Sequence, residues 1–335
     1  MRVAVTGAAG HIGANLVRAL LRAGNSVRVL VHESTAALEG LDVERVTGDV
    51  RNLENLRELF ADIEVVYHLA GRISVDGDQG GLVQEINVEG TRNVVTAAIE
   101  CKVKRLLHTS SIHAYDMTPG RPVTEASPKA SSARHSAYDR SKAVGEEQVR
   151  QGIEQGLDAV IVNPSAVIGP DDFRPSRMGS FFLMLHQRRL PALIEGGFDW
   201  VDVRDVCSSM ISAIETGSTG ENYNLCGHYA TVRKLADLCT QITGVAAPRF
   251  STPQWLARVG APFATLGARV LRREPLYTPE SLAALRSERN APHDKARRDL
   301  GHNPRPLRES IEDIYVWFRD RGLIPHDSSV DVVPR

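Results

Sequence analysis

Val3-Ala4-Val5-Thr6-Gly7-Ala8-Ala9-Gly10-His11-Ile12-Gly13 is the stretch that decides the fold of this chain. Arg2–Thr6 is a short β-branched run that reads as a strand. His11–Ala23 sets Ile12, Leu16, Val17, Leu20 and Leu21 on one helical stripe, and Gly24 ends it. Three glycines therefore join a strand to a helix. Gly7 permits the tight turn, Gly10 lets the chain's backbone approach a pyrophosphate, and Gly13 lets helix and strand pack. The helix that follows offers unpaired N–H groups and the positive end of its dipole to an anion such as pyrophosphate.

The pattern repeats outward. Ser26–Val31, Val43–Val46, Val65–Leu69, Arg105–Thr109 and Ala159–Val162 read as further strands. Leu53–Phe60, Ile86–Glu100 and Tyr138–Gln155 carry helical periodicity between them. Nearly continuous apolar strands alternating with helices predict a doubly wound α/β fold, a parallel sheet covered on both faces. From Asn163 the regularity fades, and residues 164–200 are rich in Pro, Gly, Arg and aromatics, as in a loop-rich lobe. The expected organisation is a dinucleotide-binding domain at 1–163, a smaller α/β substrate-binding lobe at 164–325, and a frayed tail at 326–335. Within the lobe, 202–225 is expected to return to the main sheet, through Trp200–Ile214 as strand then helix and through Asn222–Leu225. Thr231–Thr243 is amphipathic, Pro253–Glu288 reads as largely helical, and Ala296–Phe318 closes the fold with an apolar stripe.

Composition narrows the partners. The 40 Lys and Arg nearly cancel the 41 Asp and Glu, which argues against nucleic acid or an anionic membrane. No apolar stretch approaches the ~20 residues that span a bilayer. With a strand expected almost at Met1 and no basic and apolar leader pattern before it, no signal segment is expected. Cys101, Cys207, Cys226 and Cys239 show no metal-ligand spacing and read as small buried residues of a reducing compartment. The expectation is a cytoplasmic protein with a small-molecule partner and no metal.

Further motifs carry a resemblance. Thr6-Gly7-x-x-Gly10-x-x-Gly13, Gly48-Asp49-Val50, His68-Leu69-Ala70-Gly71, Asn87 in I-N-V-E-G-T, and Tyr138-x-x-x-Lys142 together resemble the extended short-chain dehydrogenase/reductases, which are Rossmann-type enzymes. The likeness runs from Met1 to about Leu323. It implies that Gly7, Ala9, Gly10, His11, Ile12, Gly13, Asp49, Val50, Leu69, Ala70, Gly71, Thr109, Pro164 and Val167 line a nicotinamide dinucleotide, together with Tyr138 and Lys142. It also implies a homodimer built on helices 86–100 and 138–155. An NAD enzyme usually ends its second strand in an acidic residue, but here that position is Val31, followed by His32. His32 is then either a partner of a 2′-phosphate or a solvated strand end. NADP(H) is favoured, with NAD(H) as the alternative.

The catalytic reading rests on spacing and resemblance together. Tyr138 and Lys142, four residues apart, lie one turn apart on a helix. A phenol with an ordinary pKa of ~10 needs a neighbouring ammonium to bring it toward neutral pH. By resemblance Ser111, rather than its neighbour Ser110, polarises the substrate oxygen, and Asn87 orders a proton relay. Sugar dehydratases carry Asp-Glu where Ile112-His113 stand, and many epimerases carry a phosphate-binding Arg where Phe198 stands. Loss of that clamp favours an apolar substrate. His113, Tyr115, Met117, Phe173, Met178, Phe181 and Phe198 are pocket candidates, with Arg174 and Arg177 as phosphate-binding candidates or solvated charges. The expected activity is reduction of a ketone or aldehyde, or oxidation of the alcohol, in the manner of dihydroflavonol reductases and 3β-hydroxysteroid dehydrogenases. The alternatives are a nucleotide-sugar 4-epimerase with tightly bound NAD, and a non-catalytic dinucleotide-sensing regulator.

Overall fold

In a computed structural model that describes residues 1–32, 35–117, 121–253, 285 and 291–325, seven parallel strands form the central sheet. They are β1 (Arg2–Thr6), β2 (Ser26–Val31), β3 (Glu44–Thr47), β4 (Val65–His68), β5 (Arg105–Thr109), β6 (Ala159–Pro164) and β10 (Asn222–Leu225). Their order is β10-β6-β5-β4-β1-β2-β3, and every pairing is parallel. Because β1 is flanked by β2 and β4, successive crossovers leave it in opposite directions. The chain therefore opens a crevice above the carboxyl ends of β1 and β4, where ligands bind in such sheets.

Alternation along the strands builds two cores. Val3 and Val5 of β1 face one layer with Leu16, Val17 and Leu20 of α1 (His11–Arg22) and Met210 of α7 (Val203–Thr216). Ala4 faces the other, with Leu56 and Leu59 of α2 (Leu53–Phe60), Val94 of α4 (Gly90–Glu100) and Val149 of α5 (Ala137–Glu154). A period of two sends neighbours to opposite faces, so a continuous apolar strand is buried on both. Each fully buried Leu or Val contributes about 1.5–3 kcal/mol.

The helix expected at Ile86–Glu100 is interrupted. A short turn, α3 (Leu82–Gln84), runs through a π turn at Glu85–Glu89 before α4 begins. Such a turn widens the backbone and is a frequent mark of a functional position. Here it carries Asn87.

The strand holding Trp200 departs from the expectation. β9 (Gly197–Asp202) pairs with β7 (Ala166–Ile168) and β11 (His228–Thr231) in a separate three-stranded sheet, while α7 and β10 join the main layer. Trp200 is buried there, its indole N–H bonded to Ala230 O at 2.9 Å, in a core of its own with Phe182, Leu235, Ile311, Tyr315 and Phe318. That core explains the order of 164–200, a stretch rich in turn residues that also contains α6 (Arg177–His186) and β8 (Leu193–Ile194), the latter paired with β12 (Ser251–Thr252). α8 (Val232–Thr243) and α10 (Leu307–Asp320) cover it. The closing apolar stripe falls on α9 (Asp294–Leu300) and α10, separated at Gly301, whose φ of 68° ends α9. The helical expectation for 253–288 and the tail at 326–335 lie almost wholly outside the described residues. No described helix is long and apolar enough to cross a membrane.

Candidate active site at the carboxyl edge of the sheet

The glycine turn closes tightly on the crevice. Gly7 has a φ of 71°, and a Cβ there would stand 2.6 Å from Ala70 N, so neither the conformation nor the space admits a side chain. A Cβ on Gly13 would collide with Gly7 O. Gly10 caps α1 without any side-chain hydrogen bond, so the first-turn amides stay available to a ligand. The Thr109 and Ser110 hydroxyls, buried at the end of β5, also lack partners among the described residues. Strand-end Leu69, Ala70 and Gly71 face this turn, and Ala9 and Ile12 are half-buried within it. These residues fit a dinucleotide pyrophosphate. His11 is committed elsewhere, its Nε2 3.0 Å from Pro170 O, which ties the turn to the segment after β7.

At the other end of the crevice Val50 is buried and Asp49 gathers cations. His32 Nε2 lies 3.2 Å from its Oδ2, and Arg51 Nη2 donates to the same oxygen at 2.7 Å while also reaching Glu85. The Arg51 hydrogen bonds hold the Asp49 carboxyl below its usual range against burial. Arg51 was not foreseen, because a charged residue after a Gly-Asp pair has no local signature. Pro164 is buried at the end of β6 and Val167 half-buried on β7.

The catalytic candidates converge. Ser111 follows β5, Tyr138 and Lys142 sit in the first turns of α5, and Ser136 caps that helix in a reciprocal box with Asp139. Ser111, whose Oγ accepts from His113 N at 3.2 Å, acts on the Tyr138 phenol, which distinguishes it from Ser110, whose hydroxyl has no partner among the described residues. Lys142 is 7% exposed and its Nζ donates to Thr109 O at 2.9 Å. A Cβ on Gly71 would lie 3.3 Å from both this Nζ and Asn87 Oδ1, so both groups border the same gap. Asn87 donates to Ser141 Oγ at 2.8 Å and Arg72 O at 3.0 Å, and accepts from Arg72 N at 2.7 Å. Its amide thus pins the loop after β4.

The electrostatics depart from the expectation for tyrosine. Burial pushes the Tyr138 phenol up to about 12, ahead of the lowering influence of Ser111. Lys142 is itself pushed down to about 8 by burial, opposed by Glu146. Its ammonium is directed to Thr109 O, so desolvation, a term that spacing cannot show, dominates the phenol.

The pocket candidates divide. His113 adjoins Tyr138, the ring centroids 5.9 Å apart. Met178 borders a small cleft with His11, Asp172 and Phe182. Phe198 packs edge-on against Trp200 at 5.2 Å, and Phe181 against Phe182. Tyr115 is buried with Ile112, Val123 and Cys226, its ring covered by Lys129, and does not line open space; Met117 packs against the same cluster. Phe173 stands edge-on to Trp317 with Arg18 and Arg321 over its ring. Arg174 is exposed. Residues missed in the sequence support Ser111 from behind. Buried Glu146 accepts from Asn163 and Asn222 at 2.7 and 3.0 Å, and Asn163 donates to Ser111 O at 3.0 Å. These groups are distant in sequence and share no periodicity.

A doubly wound sheet with a glycine turn at its switch point, and with Ser, Tyr and Lys beside it, is the arrangement of the short-chain dehydrogenase/reductases. The model of the NAD dependent epimerase/dehydratase family matches residues 3–226, and the chain belongs to that family, the extended branch. It is 37% identical to "Sterol demethylase protein B" of Methylococcus capsulatus, over 97% of this chain and 100% of that protein. It is 31% identical to a "Putative dihydroflavonol 4-reductase" of Synechocystis, over 96% and 95%. Among solved structures it is similar to gox2253, with a TM-score of 0.83 at 32% identity, covering 96% of this chain and 99% of that one.

Proposed function

We propose that the protein is an NADP(H)-preferring oxidoreductase, working in the cytoplasm as a homodimer, that reduces an apolar ketone or aldehyde or oxidises the corresponding alcohol. The observation that carries this reading is the convergence of Ser111, Tyr138 and Lys142 at the edge of the crevice, where Ser111 lowers the Tyr138 phenol and Lys142 Nζ donates to Thr109 O at 2.9 Å. A bound nicotinamide supplies or takes the hydride. Ser111 donates to the substrate oxygen and polarises it. Tyr138, fully protonated at neutral pH when its pKa is about 12, gives its proton to the oxygen as negative charge develops there. Lys142 holds its positive charge behind the phenol and next to the dinucleotide gap.

An apolar substrate is supported by Phe198, which stands where many epimerases place a phosphate-binding Arg, and by relatives named for a sterol and a dihydroflavonol, both ring systems. The cofactor preference rests on Val31 in place of an acid, with His32 and Arg51 beside it. The dimer is supported by Val144, a large apolar side chain 38% exposed on α5.

The test is fluorescence titration with NADPH and NADH, followed by turnover of aromatic ketones and aldehydes. NADPH-dependent reduction that falls about 10²–10⁴-fold in Tyr138→Phe is expected. Tight NAD with no carbonyl turnover, together with a thermal shift on adding UDP-sugars, would replace this reading with a nucleotide-sugar 4-epimerase.

A further inference from the structure

Glu146 lies behind the reacting set, and the hydride-transfer step gives it no part. It sits on α5 one turn beyond Lys142 and two beyond Tyr138, and is 1% exposed. A carboxylate so deep in a chain is costly unless both oxygens are bonded. Oε1 accepts from Asn163 Nδ2 at 2.7 Å. Oε2 accepts from Asn222 Nδ2 at 3.0 Å and from the ammonium of Lys129, which arrives from the loop before α5 and covers the Tyr115 ring.

Two lines run from this carboxylate to the reacting groups. The first is a hydrogen-bond chain. Asn163 Nδ2 also donates to Ser111 O at 3.0 Å, so one planar amide spans Glu146 and the backbone of Ser111. Asn163 Oδ1 accepts from Asn222 Nδ2 at 2.8 Å, which fixes the plane of that amide. The second line is charge. Burial pushes Lys142 down to about 8, and Glu146 opposes this by favouring the ammonium. The other titratable groups facing Lys142 are Tyr138, one turn back on α5, and His68 and His108 on β4 and β5, both held uncharged at neutral pH by burial. Glu146 itself is faced by Lys129, by Tyr115, and by Arg150 through Asn222.

We propose that Glu146 is a positioning residue for the reaction. Through Asn163 it fixes the backbone of Ser111, and so the hydroxyl that meets the substrate oxygen, while its negative charge steadies the Lys142 ammonium behind the phenol. This rests on the reading of Ser111, Tyr138 and Lys142 as the reacting set. A carboxylate that only held the fold together could be shortened or neutralised without touching either group.

Two variants of the full chain separate the lines. Glu146→Asp keeps the charge but draws the carboxylate back from Asn163 by about one bond, and kcat for carbonyl reduction is expected to fall about tenfold or more with KM for the dinucleotide unchanged. Asn163→Ala, which cuts the same chain at its middle, reproduces that loss. Glu146→Gln removes the charge and keeps an amide oxygen for Asn163, and Lys129→Met is its background, so that no ammonium is left unpaired. The titration of Lys142 is read by NMR of ¹³C-labelled lysine in the dinucleotide-free protein, whose six lysines keep the spectrum simple, with Lys142→Met assigning the signal. The midpoint is expected to drop by about one pH unit from Lys129→Met to Lys129→Met/Glu146→Gln, because a carboxylate that favoured the ammonium is gone. The alkaline fall in kcat moves down with it, while Glu146→Asp leaves the midpoint near its wild-type value. A midpoint that does not move overturns the proposal, as does a Glu146→Asp or Asn163→Ala protein with wild-type kcat. Absence of carbonyl turnover in the wild-type protein overturns the reductase reading instead, and is told apart because the Lys142 midpoint is read without substrate.

Discussion

Lys142 shows how burial and function compete at a single residue. Its pKa is pushed down to about 8 in the folded chain, against ~10.5 for the free side chain. The folded state thus binds fewer protons than the unfolded chain between those values, and this group costs stability below about pH 8, a cost relieved as pH rises. Lys142→Met is expected to remove turnover yet raise the unfolding free energy of the dinucleotide-free protein at pH 7 by about 1–3 kcal/mol. The gain should shrink at pH 9, as urea titrations at the two pH values would show. The four-residue spacing of Tyr138 and Lys142 was plain in the sequence. The direction of the phenol's shift was not, because desolvation depends on what covers the ring.

The element that shapes the site is the π turn at Glu85–Glu89 and its contact with α5. A Cβ on Gly145 would lie 2.9 Å from Asn87 O, so α5 approaches this turn as closely as a glycine permits. Gly145→Ala must push backbone against backbone. A loss of about 1–3 kcal/mol is expected, together with a lower kcat, since Asn87 and Lys142 both move. Glu147→Ala, exposed two residues away on the same helix, serves as the control, and chemical denaturation with steady-state kinetics checks both. The helix at Ile86–Glu100 was legible from its apolar period. The extra residue in its turn was not, because hydrophobic spacing is nearly the same in α and π turns over so short a stretch.

At the scale of the whole molecule, a buried histidine and a buried aspartate tie distant segments together. His68 on β4 bonds Thr6 at 2.8 Å and Thr91 at 3.1 Å, and burial pushes it down to about 3. His108, beside it on β5, is lowered in the same way, and neither ring nitrogen has a partner. Folded histidines that resist protonation lose stability as pH falls below ~6.5, where the unfolded chain takes up the protons, at up to about 1.4 kcal/mol per pH unit each. Thermal unfolding between pH 7 and 5 should show this slope, and His108→Leu should flatten it. Asp202, buried at the start of α7, holds Arg204 and Arg305, and Arg204 reaches Asp313 on α10. Asp202→Ala removes the carboxylate the two cations share but leaves Asp313 on Arg204 and Asp205 on Arg305, and a loss of about 1–3 kcal/mol is expected on urea unfolding.

The sequence by itself determined the parallel sheet, the glycine turn and the Tyr–Lys pair, because each is written in local periodicity or in spacing of a few residues. It also carried the family, since those motifs fall in one order along the chain. Tertiary structure alone decided that Trp200 belongs to a separate sheet, that Tyr115 and Phe173 stand away from the crevice, and that His113 meets Asp139 beside Tyr138. It alone brought Glu146, Asn163 and Asn222 together behind Ser111. These outcomes depend on which surfaces exclude water and on contacts between residues far apart in the chain, and neither quantity has a period that a sequence can show.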